Sequence, residues 1–416
     1  MIRNFMVLML LTAFFFVAPP GHAADVGELE RRIDMMSDEI DRLKSSGGSG
    51  GGVAHATTIH GYGESHVTFD SANRTKMDQH RFVIGVHSEL ADWIHLNAEI
   101  DFEHAAQTLE YEFGYLDFLL SDKLNFRAGV MLMPMGNLNE NHEPPLFYSV
   151  ERDDFHVKLI PSTWQQMGVG AFGRLAEGIN YRVYFTNAVR ALDNNAGASK
   201  FGNGQFIRDG REQQKGYYYD DLAISGRLEH QKISGLDLGF SFYTANSTNG
   251  YIDDGGRLTI LVADAKYQMG AYDFDLGIFK GFVNDTAEMN TWCGAGDAKD
   301  SSEGHCIADI PKSAFGWTLT AGAHLPQIMK WRTTHDLVAF ARYNLIRPND
   351  EVGDNDVSAD RKKNFESVTV GLSYMPINKV ALKVDYQQYF YKGERLNPQT
   401  ERTQAQKVNL GVAYMY

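Results

Sequence analysis

Charged residues recur at alternate positions in this sequence, and alternation of this kind can serve one specific chemistry. The clearest segment alternates five apolar residues with five polar ones: Ile94, Leu96, Ala98, Ile100 and Phe102 against His95, Asn97, Glu99, Asp101 and Glu103. The same pattern predicts a common polar face for these charged residues: Arg81, Glu99, Asp101, Arg127, Arg182, Arg227, Lys383 and Lys407. Rings or ladders of one charge sign around a water-filled space select passing ions. The same alternation places further acids on this face: Glu89, Glu103, Glu229, Asp237, Asp273, Asp275 and Asp385. With these included, acids match or outnumber bases, so a mixed field is favoured over a dedicated anion filter.

A second charged group lies between residues 134 and 163. Its members are candidates for narrowing any central passage: Glu143, Glu151, Arg152, Asp153 and Lys158. Glu140 and Asp154 add further negative charge to the same stretch. This group is therefore also acidic overall, and it does not resemble a filter for anions.

The sequence contains two matches to catalytic or cofactor-binding motifs, but neither has the secondary-structure context that the motif requires. Gly168 to Gly173 fits G-x-G-x-x-G, but it lies within a strand-like run rather than between a strand and a helix. The G-x-S-x-G at 47–51 belongs to a Gly/Ser tract, which is no nucleophile elbow. His142 and His156 are candidate metal ligands, although solvated loop histidines are commoner. We expect no catalytic residue, no cofactor and no metal site.

Composition limits the remaining classes of protein. The 416 residues include 39 Lys and Arg against 53 Asp and Glu, a net charge of −14. Nucleic acids are recognised by basic surfaces, so a nucleic-acid partner is excluded. Two cysteines in so long a chain exclude a disulfide scaffold and a four-cysteine metal site.

The elements that carry the charged face are long alternating segments. They predict sixteen strands at 57–69, 79–91, 93–104, 108–120, 124–133, 164–175, 178–187, 217–229, 235–246, 257–269, 271–284, 312–325, 333–346, 364–375, 379–391 and 404–416. Segments of about ten residues with aromatic ends suit a tilted bilayer crossing. An open sheet edge is not tolerated in lipid, so the sheet must close. The fold class is all-β, a 16-stranded antiparallel transmembrane barrel over 54–416 with an aqueous lumen.

The N-terminal part of the sequence predicts export and self-association. A basic residue, an apolar run and small residues near Ala23 indicate a signal peptide over 1–24. Apolar residues then recur every three or four positions over 25–44, which is typical of a short coiled-coil helix and implies an oligomer. An amphipathic surface helix is the alternative. A Gly/Ser linker follows at 45–53.

Export makes a disulfide between Cys293 and Cys306 the favoured interpretation of the two cysteines. They would close a ring of 14 residues in the long 285–311 connection. In the chain-entropy model such a bond contributes about 3 kcal/mol. Two free reactive thiols are the alternative.

One stretch carries a resemblance to a known family. The residues from Asn141 to Arg152 (NHEPPLFYSVER), then IPSTW at 160–164 and Gly168-Val169-Gly170, resemble the phosphate-selective porin (porin O and P) family. The resemblance implies an N-terminal coil, sixteen strands, a homotrimer and a third long loop, here 134–163, that folds into the channel. The terminal Tyr416 resembles the signal read by the barrel-assembly machinery.

The sequence therefore predicts a Gram-negative outer-membrane porin with its N-terminal coil in the periplasm. Small hydrophilic solutes or ions would diffuse through it, with phosphate or other anions as one option. Two alternatives stay open: a non-conducting barrel that acts as an anchor or adhesin, and an outer-membrane barrel enzyme. The expected partners are outer-membrane lipid, the assembly machinery, copies of the chain and small ions or solutes.

Overall fold

A computed structural model describes residues 56–192, 200–202, 204–211, 219–253, 255–294, 308–355, 364–392 and 404–416. The predicted signal peptide (1–24), coiled coil (25–44) and linker (45–53) lie outside the described residues. Those three predictions therefore remain predictions.

Sixteen antiparallel strands form one closed barrel, as the sequence predicts. They are β1 (Thr57–Asp70), β2 (Lys76–Ala91), β3 (Ile94–Glu103), β4 (Thr108–Leu119), β5 (Asn125–Leu132), β6 (Gln165–Ala176), β7 (Ile179–Asn187), β8 (Leu222–Ile233), β9 (Leu236–Ala245), β10 (Leu258–Met269), β11 (Tyr272–Val283), β12 (Ser313–His324), β13 (Asp336–Glu351), β14 (Asn364–Ile377), β15 (Val380–Lys392) and β16 (Gln404–Met415). Each strand pairs with its neighbours in sequence, and β1 pairs with β16 to close the sheet. The largest boundary differences are at β8, predicted to begin at 217, and β13, predicted to end at 346.

The connections divide the barrel into two rims. Even-to-odd connections such as 177–178 and 234–235 are mostly tight turns, in which Gly178 and Gly235 take the positive φ of 69° and 74° that such turns favour. Six of the connections from an odd-numbered strand to the next even-numbered strand are long, and they span 133–164, 188–221, 246–257, 284–312, 352–363 and 393–403. We call the two edges the turn rim and the loop rim. Both ends of the barrel chain lie at the turn rim, as an even number of strands requires.

Helical elements are few and short in the described residues. They comprise α1 (Thr286–Gly294), α2 (Leu325–Ile328), two 3₁₀ turns (Pro144–Leu146 and Arg208–Gly210) and a π-helical turn (Phe155–Leu159). In the part of the chain that the structure describes, no helix is long and apolar enough to cross a membrane.

Large apolar side chains are exposed all around the outer wall. They include Phe82, Ile84, Ile100, Phe126, Val169, Phe185, Leu228, Phe240, Leu261, Ile278, Leu319, Val370 and Val412. Near the turn rim the exposed set includes several aromatic side chains: Trp93, Tyr267, Tyr272, Trp331 and Tyr416. A band this extensive is not a feature of a surface that meets bulk water.

The inner wall is not uniformly polar, which corrects the expectation of a wholly aqueous lumen. Towards the loop rim, inward residues of β9 to β11 and β13 are apolar and fully buried: Tyr243, Ile260, Val262, Phe279 and Ile346. Loop residues pack on them inside the barrel: Phe155, Leu159, Trp164, Phe201, Phe206, Ile207 and Met289. We call this the apolar plug. The alternation did not reveal it because it distinguishes the two faces of a strand without showing which loops fold inward.

Candidate functional site

The 133–164 loop leaves the wall after β5, crosses the lumen and returns at β6. Its neck is closed by Asn139, whose amide donates to the carbonyl oxygens of Met133 at 2.7 Å and Trp164 at 2.9 Å. The same side chain accepts a hydrogen bond from the Trp164 amide at 2.9 Å. One asparagine therefore ties the two ends of the loop together.

On the opposite wall the loop is held by charged side chains of β13 and β15. The Lys383 ammonium donates to the carbonyl oxygens of Pro144 at 2.5 Å and Ser149 at 2.9 Å. Asp385 accepts from the backbone amide of Val150 at 2.6 Å. Arg342 donates to the Ser149 hydroxyl at 2.8 Å. The loop thus spans the barrel from one wall to the facing one.

Lys383 and Arg81 belong to the predicted set that faces the lumen, but both are buried. Arg81 forms ion pairs with four carboxylates: Glu64 at 3.0 Å, Glu103 at 3.2 Å, Asp101 at 3.3 Å and Glu112 at 3.6 Å. Arg81, Glu99 and Asp101 expose 5%, 6% and 0% of their surface, so they contact protein rather than open water. We call these residues, with Glu64, Glu103 and Glu112, the Arg81 cluster.

Three further basic residues of the predicted face are paired with acids. Arg127 makes a two-pronged contact with Asp117 at 2.7 and 2.9 Å. Arg182 contacts Glu140 at 3.1 Å and Glu229 at 2.9 Å.

Arg227 contacts Glu229 at 2.8 Å and Asp264 at 2.7 Å. Lys407 also faces inward, with its ammonium 5.3 Å from the centre of the Tyr389 ring. The ion pairs of Arg127, Arg182 and Arg227 neutralise most of the positive charge on this face.

Two acidic residues of the loop are held by histidines. Glu151 bonds His66 at 3.0 Å, and Asp153 bonds His156 at 3.0 Å. Burial raises the pKa of Glu151, but the hydrogen bond and charge of His66 together with the charge of His80 outweigh it and leave that pKa below its ordinary value. In the same way burial raises the pKa of Asp153, and His156 with Arg342 brings it well below the usual range.

The remaining loop candidates have different surroundings. Burial lowers the pKa of Lys158, against the attraction of Asp154. Burial also lowers the pKa of Arg152, helped by the nearby positive charge of Arg81. Glu143 lines the larger of two cavities.

The two cavities lie on the turn-rim side of the loop. The larger, about 520 Å³, is lined by Glu99, Asp122, Arg127, Glu140, His142, Glu143, Arg174, Arg182 and Glu229, with aromatic and small residues between them. The smaller, about 410 Å³, is lined by Asp153, His156, Asp237, Lys266, Asp273, Asp275 and Arg342, again with uncharged neighbours. Together the linings hold nine carboxylates and five basic side chains, so the polar space is acidic overall.

Several site residues were missed from sequence. His142 and His156 were expected to be solvated, yet they expose only 2% and 4% of their surface because the loop folds inward. Glu112 was missed because a register shift between β3 and β4 displaces the alternation around it. Glu64 and His66 could have been predicted to lie together, since they are two residues apart and must share a face of β1.

Cys293 is buried near the end of α1, and Cys306 lies outside the described residues, so their disulfide remains a prediction. The terminal Tyr416 closes the sheet at the turn rim. Its backbone nitrogen donates to Gly61 O at 2.9 Å, and its hydroxyl donates to Val83 O at 3.0 Å.

Comparison with known proteins places this architecture among outer-membrane barrels. No protein-family model matches the chain. An uncharacterized protein of Aquifex aeolicus (strain VF5) is 26% identical over 357 residues, which cover 83% of this chain and 78% of that protein.

Three solved structures illustrate the likeness of fold. The anion-selective porin from Comamonas acidovorans has a TM-score of 0.55 at 10% identity, covering 87% of this chain and 100% of that one. OmpF of Salmonella typhi, in complex with daunomycin, has a TM-score of 0.55 at 8% identity, covering 86% of this chain and 97% of that one. The trimer form of Vibrio cholerae OmpT has a TM-score of 0.53 at 9% identity, covering 87% of this chain and 100% of that one. At these identities the likeness establishes the barrel fold that this chain shares with porins.

Proposed function

We propose that the chain is an outer-membrane channel through which small hydrophilic solutes diffuse passively, with a preference for cations. The observation that carries the proposal is the pair of polar cavities inside a closed barrel, beside a loop that crosses the lumen. Sixteen strands enclose more space than wall side chains fill, and here a loop narrows that space.

The proposed location in the outer membrane is supported by the outer wall. Its apolar band and the aromatic side chains near the turn rim match the lipid-facing belt and one interfacial girdle of a membrane barrel. The fold shared with porins supports the same location. We propose outer-membrane lipid and the barrel-assembly machinery as partners, the latter through Tyr416.

The solute route would follow the polar side of the lumen. There the 133–164 loop meets β1 to β4 through hydrogen bonds and ion pairs, whereas the apolar plug fills the side of β9 to β11 towards the loop rim. Polar residues continue along β1 and β2 from the larger cavity towards the loop rim: Glu64, His66, Asp78 and His80. Polar walls retain water, so this side is the one that admits a hydrated solute.

Cation preference rests on the charge balance of the cavities. An anion channel needs basic side chains whose charge is available to the solute. Arg127, Arg182 and Arg227 are instead paired with carboxylates, and carboxylates outnumber basic groups in both linings. Phosphate selectivity, which the family resemblance suggested, has no support in this charge arrangement.

Recording from planar bilayers tests the channel itself. Purified protein should add discrete, long-lived steps of conductance, and heat-denatured protein of the same preparation should add none. Folded protein that inserts without conducting would reject the channel and favour the anchor or adhesin. A barrel that cleaves lipid or peptide without conducting would favour the enzyme.

We also propose a homotrimer. The heptad pattern of 25–44 supports it, and the trimer form of Vibrio cholerae OmpT shows that a barrel of this fold assembles in that number. Deleting residues 25–46 should lower the yield of trimers on mild gels without abolishing conductance. Equal trimer yield would exclude a role for the coil.

A further inference from the structure

Three groups of histidine and carboxylate side chains in the described residues lie close enough to share an ion. They are Glu99, Glu112 and His142; His66, His80 and Glu151; and Asp78, His80 and His104. The first group differs from the other two because all of its members are buried, exposing 6%, 2% and 2% of their surface. In the second group both ring nitrogens of His66 already contact carboxylates, at 2.9 and 3.0 Å.

From this geometry we infer that Glu99, Glu112 and His142 form a site for a divalent transition-metal ion such as Zn²⁺. One ligand atom from each side chain lies within 4.8 Å of the other two. Ligand atoms arranged tetrahedrally about Zn²⁺ at about 2.0–2.2 Å lie about 3.3–3.6 Å from one another. The three side chains would therefore move towards one another on binding, by up to about 1.5 Å.

The histidine is already oriented as a metal ligand. Its Nδ1 lies 3.1 Å from the carbonyl oxygen of Asn139, which can only accept, so Nδ1 carries the proton and donates. Nε2 lies 3.0 Å from Glu112 Oε2 and 2.8 Å from the Tyr62 hydroxyl. A carboxylate oxygen only accepts, so Nε2 donates to it in the metal-free chain, and metal binding would displace that proton. A hydrogen bond like that of Nδ1 is what commonly fixes the ring of a metal-binding histidine.

Glu99 supplies the independent observation that points to a ligand. Its Oε2 is buried and has no hydrogen-bond partner among the described residues. A buried carboxylate oxygen without a partner is costly, and a bound cation would remove that cost. The nearest basic group, the His60 ring, is 3.9 Å from the other oxygen, Oε1.

The charge around the site also favours a cation. Arg81 is shared by four carboxylates within 3.6 Å, one of which is Glu112. It contacts Glu112 through Oε1 and leaves Oε2 facing His142. Glu99 adds a further carboxylate, and Arg152 adds a second buried guanidinium whose charge acts on both Glu99 and Glu112. Five carboxylates therefore face two guanidinium groups and the His142 ring, so acidic groups remain in the majority.

The site is accessible to a hydrated ion. Glu99 and His142 line the larger cavity, which supplies a path to the metal and a free position for water. One imidazole nitrogen and two carboxylate oxygens form a mixed donor set that suits Zn²⁺ or Co²⁺ better than Mg²⁺, which prefers oxygen ligands alone. This inference does not depend on conduction, because binding requires only the folded barrel.

Metal binding to the purified full-length barrel tests the inference. Protein freed of metal with a chelator is titrated with Zn²⁺ by calorimetry, and its metal content is measured by emission spectroscopy. We expect one tightly bound Zn²⁺ per chain and a rise in the unfolding temperature on binding. Co²⁺ should give a visible absorption band, and Mg²⁺ should not compete.

The informative variant is Glu99→Gln, which keeps the size of the side chain and removes one ligand charge. It should weaken Zn²⁺ binding at least about tenfold. The metal-free variant should be no less stable than the parent, because Oε2 has no hydrogen bond to lose. His142→Gln should also abolish the Co²⁺ band.

His156→Gln is the matched control. His156 is another buried histidine of the same loop, bonded to the carboxylate of Asp153 at 3.0 Å, and it belongs to none of the three groups. This variant should bind Zn²⁺ like the parent. Three outcomes would overturn the inference: no Zn²⁺ bound by the parent, equal binding by parent and Glu99→Gln, or a Glu99→Gln chain that does not fold.

Discussion

The two sides of the lumen hold the same loop by different physics. Against β1 to β4 the 133–164 loop makes hydrogen bonds and ion pairs, such as His142 with Glu112 and Glu151 with His66. Against β9 to β11 it makes apolar contacts, with Phe155 packed 6.5 Å from the Phe279 ring and Trp164 4.9 Å from the Tyr243 ring. Burial of apolar surface stabilises the loop without fixing its orientation, because the hydrophobic effect is not directional. The paired charges fix the position of the loop and keep that side of the lumen polar.

The two sides of the lumen therefore have different roles, one in stability and the other in the proposed permeation. The apolar plug excludes water and accounts for much of the free energy that keeps the loop inside the barrel. The charged side carries the polar route that we propose for solutes. Substitutions on the two sides should therefore have different signatures.

The largest effect is expected from the apolar side. Phe155→Ala removes a fully buried ring and should lower the free energy of unfolding by about 4 kcal/mol. The loss should be the same at low and high salt, because no charge is involved. Thermal unfolding in detergent, followed by gel mobility, measures it, and Phe155→Leu should lose much less. A strongly salt-dependent loss would contradict the assignment of this contact to apolar packing.

A smaller effect is expected where a charged group fixes the loop. Lys383→Met removes the donor to the carbonyl oxygens of Pro144 and Ser149 and should cost about 2 kcal/mol. The loop then loses one of its attachments to the wall facing β5 and keeps those made by Asp385 and Arg342, so open-channel current noise should increase.

Lys280→Met is the control for that substitution. The Lys280 ammonium donates to Ser313 Oγ at 3.1 Å and to Asp350 Oδ2 at 2.8 Å rather than to the 133–164 loop. Its current noise should match the parent. Equal noise in both variants would mean that Lys383 does not hold the loop.

Most of the barrel could be predicted from sequence, and the plug could not. Alternation is a local property of each strand, and it located all sixteen strands and most of their inward faces, although not that of Glu112 beside the register shift in β4. In β13 the residues 337–345 are largely apolar on both faces, and alternation does not show that the Phe340 ring packs 6.0 Å from that of Tyr148 in the loop. The site depends on contacts between residues far apart in sequence, such as Glu112 with His142, and alternation carries no information about those.

Acid should loosen the charged side selectively. The pKa of Glu151 is lower in the folded chain than its ordinary value of 4.5, so its bond to His66 stabilises the fold at neutral pH. That contribution is lost as the pH falls through the folded pKa, below the ordinary value. Channel noise should therefore rise in this acidic range in the parent and change less in Glu151→Gln. A parent whose noise is independent of pH would contradict this anchoring role.

The smallest effect is expected from surface-charge balance within the polar cavity. Arg127→Gln combined with Arg182→Gln frees the carboxylates of Asp117 and Glu140 and leaves Glu229 paired with Arg227 alone. The ratio of anion to cation permeability should fall below that of the parent, by a modest factor because the cavity is already acidic. Lys123→Gln, at an exposed turn, should leave the ratio unchanged. An unaltered reversal potential in the double variant would remove these residues from the ion path.

The zero-current potential of the parent channel across a KCl gradient tests the central claim most directly. The acidic cavities predict the sign of a K⁺-preferring channel, with a permeability ratio of K⁺ to Cl⁻ above one. A Cl⁻-preferring potential would show that the carboxylates lining the cavities do not govern the passing ions, and it would contradict the account.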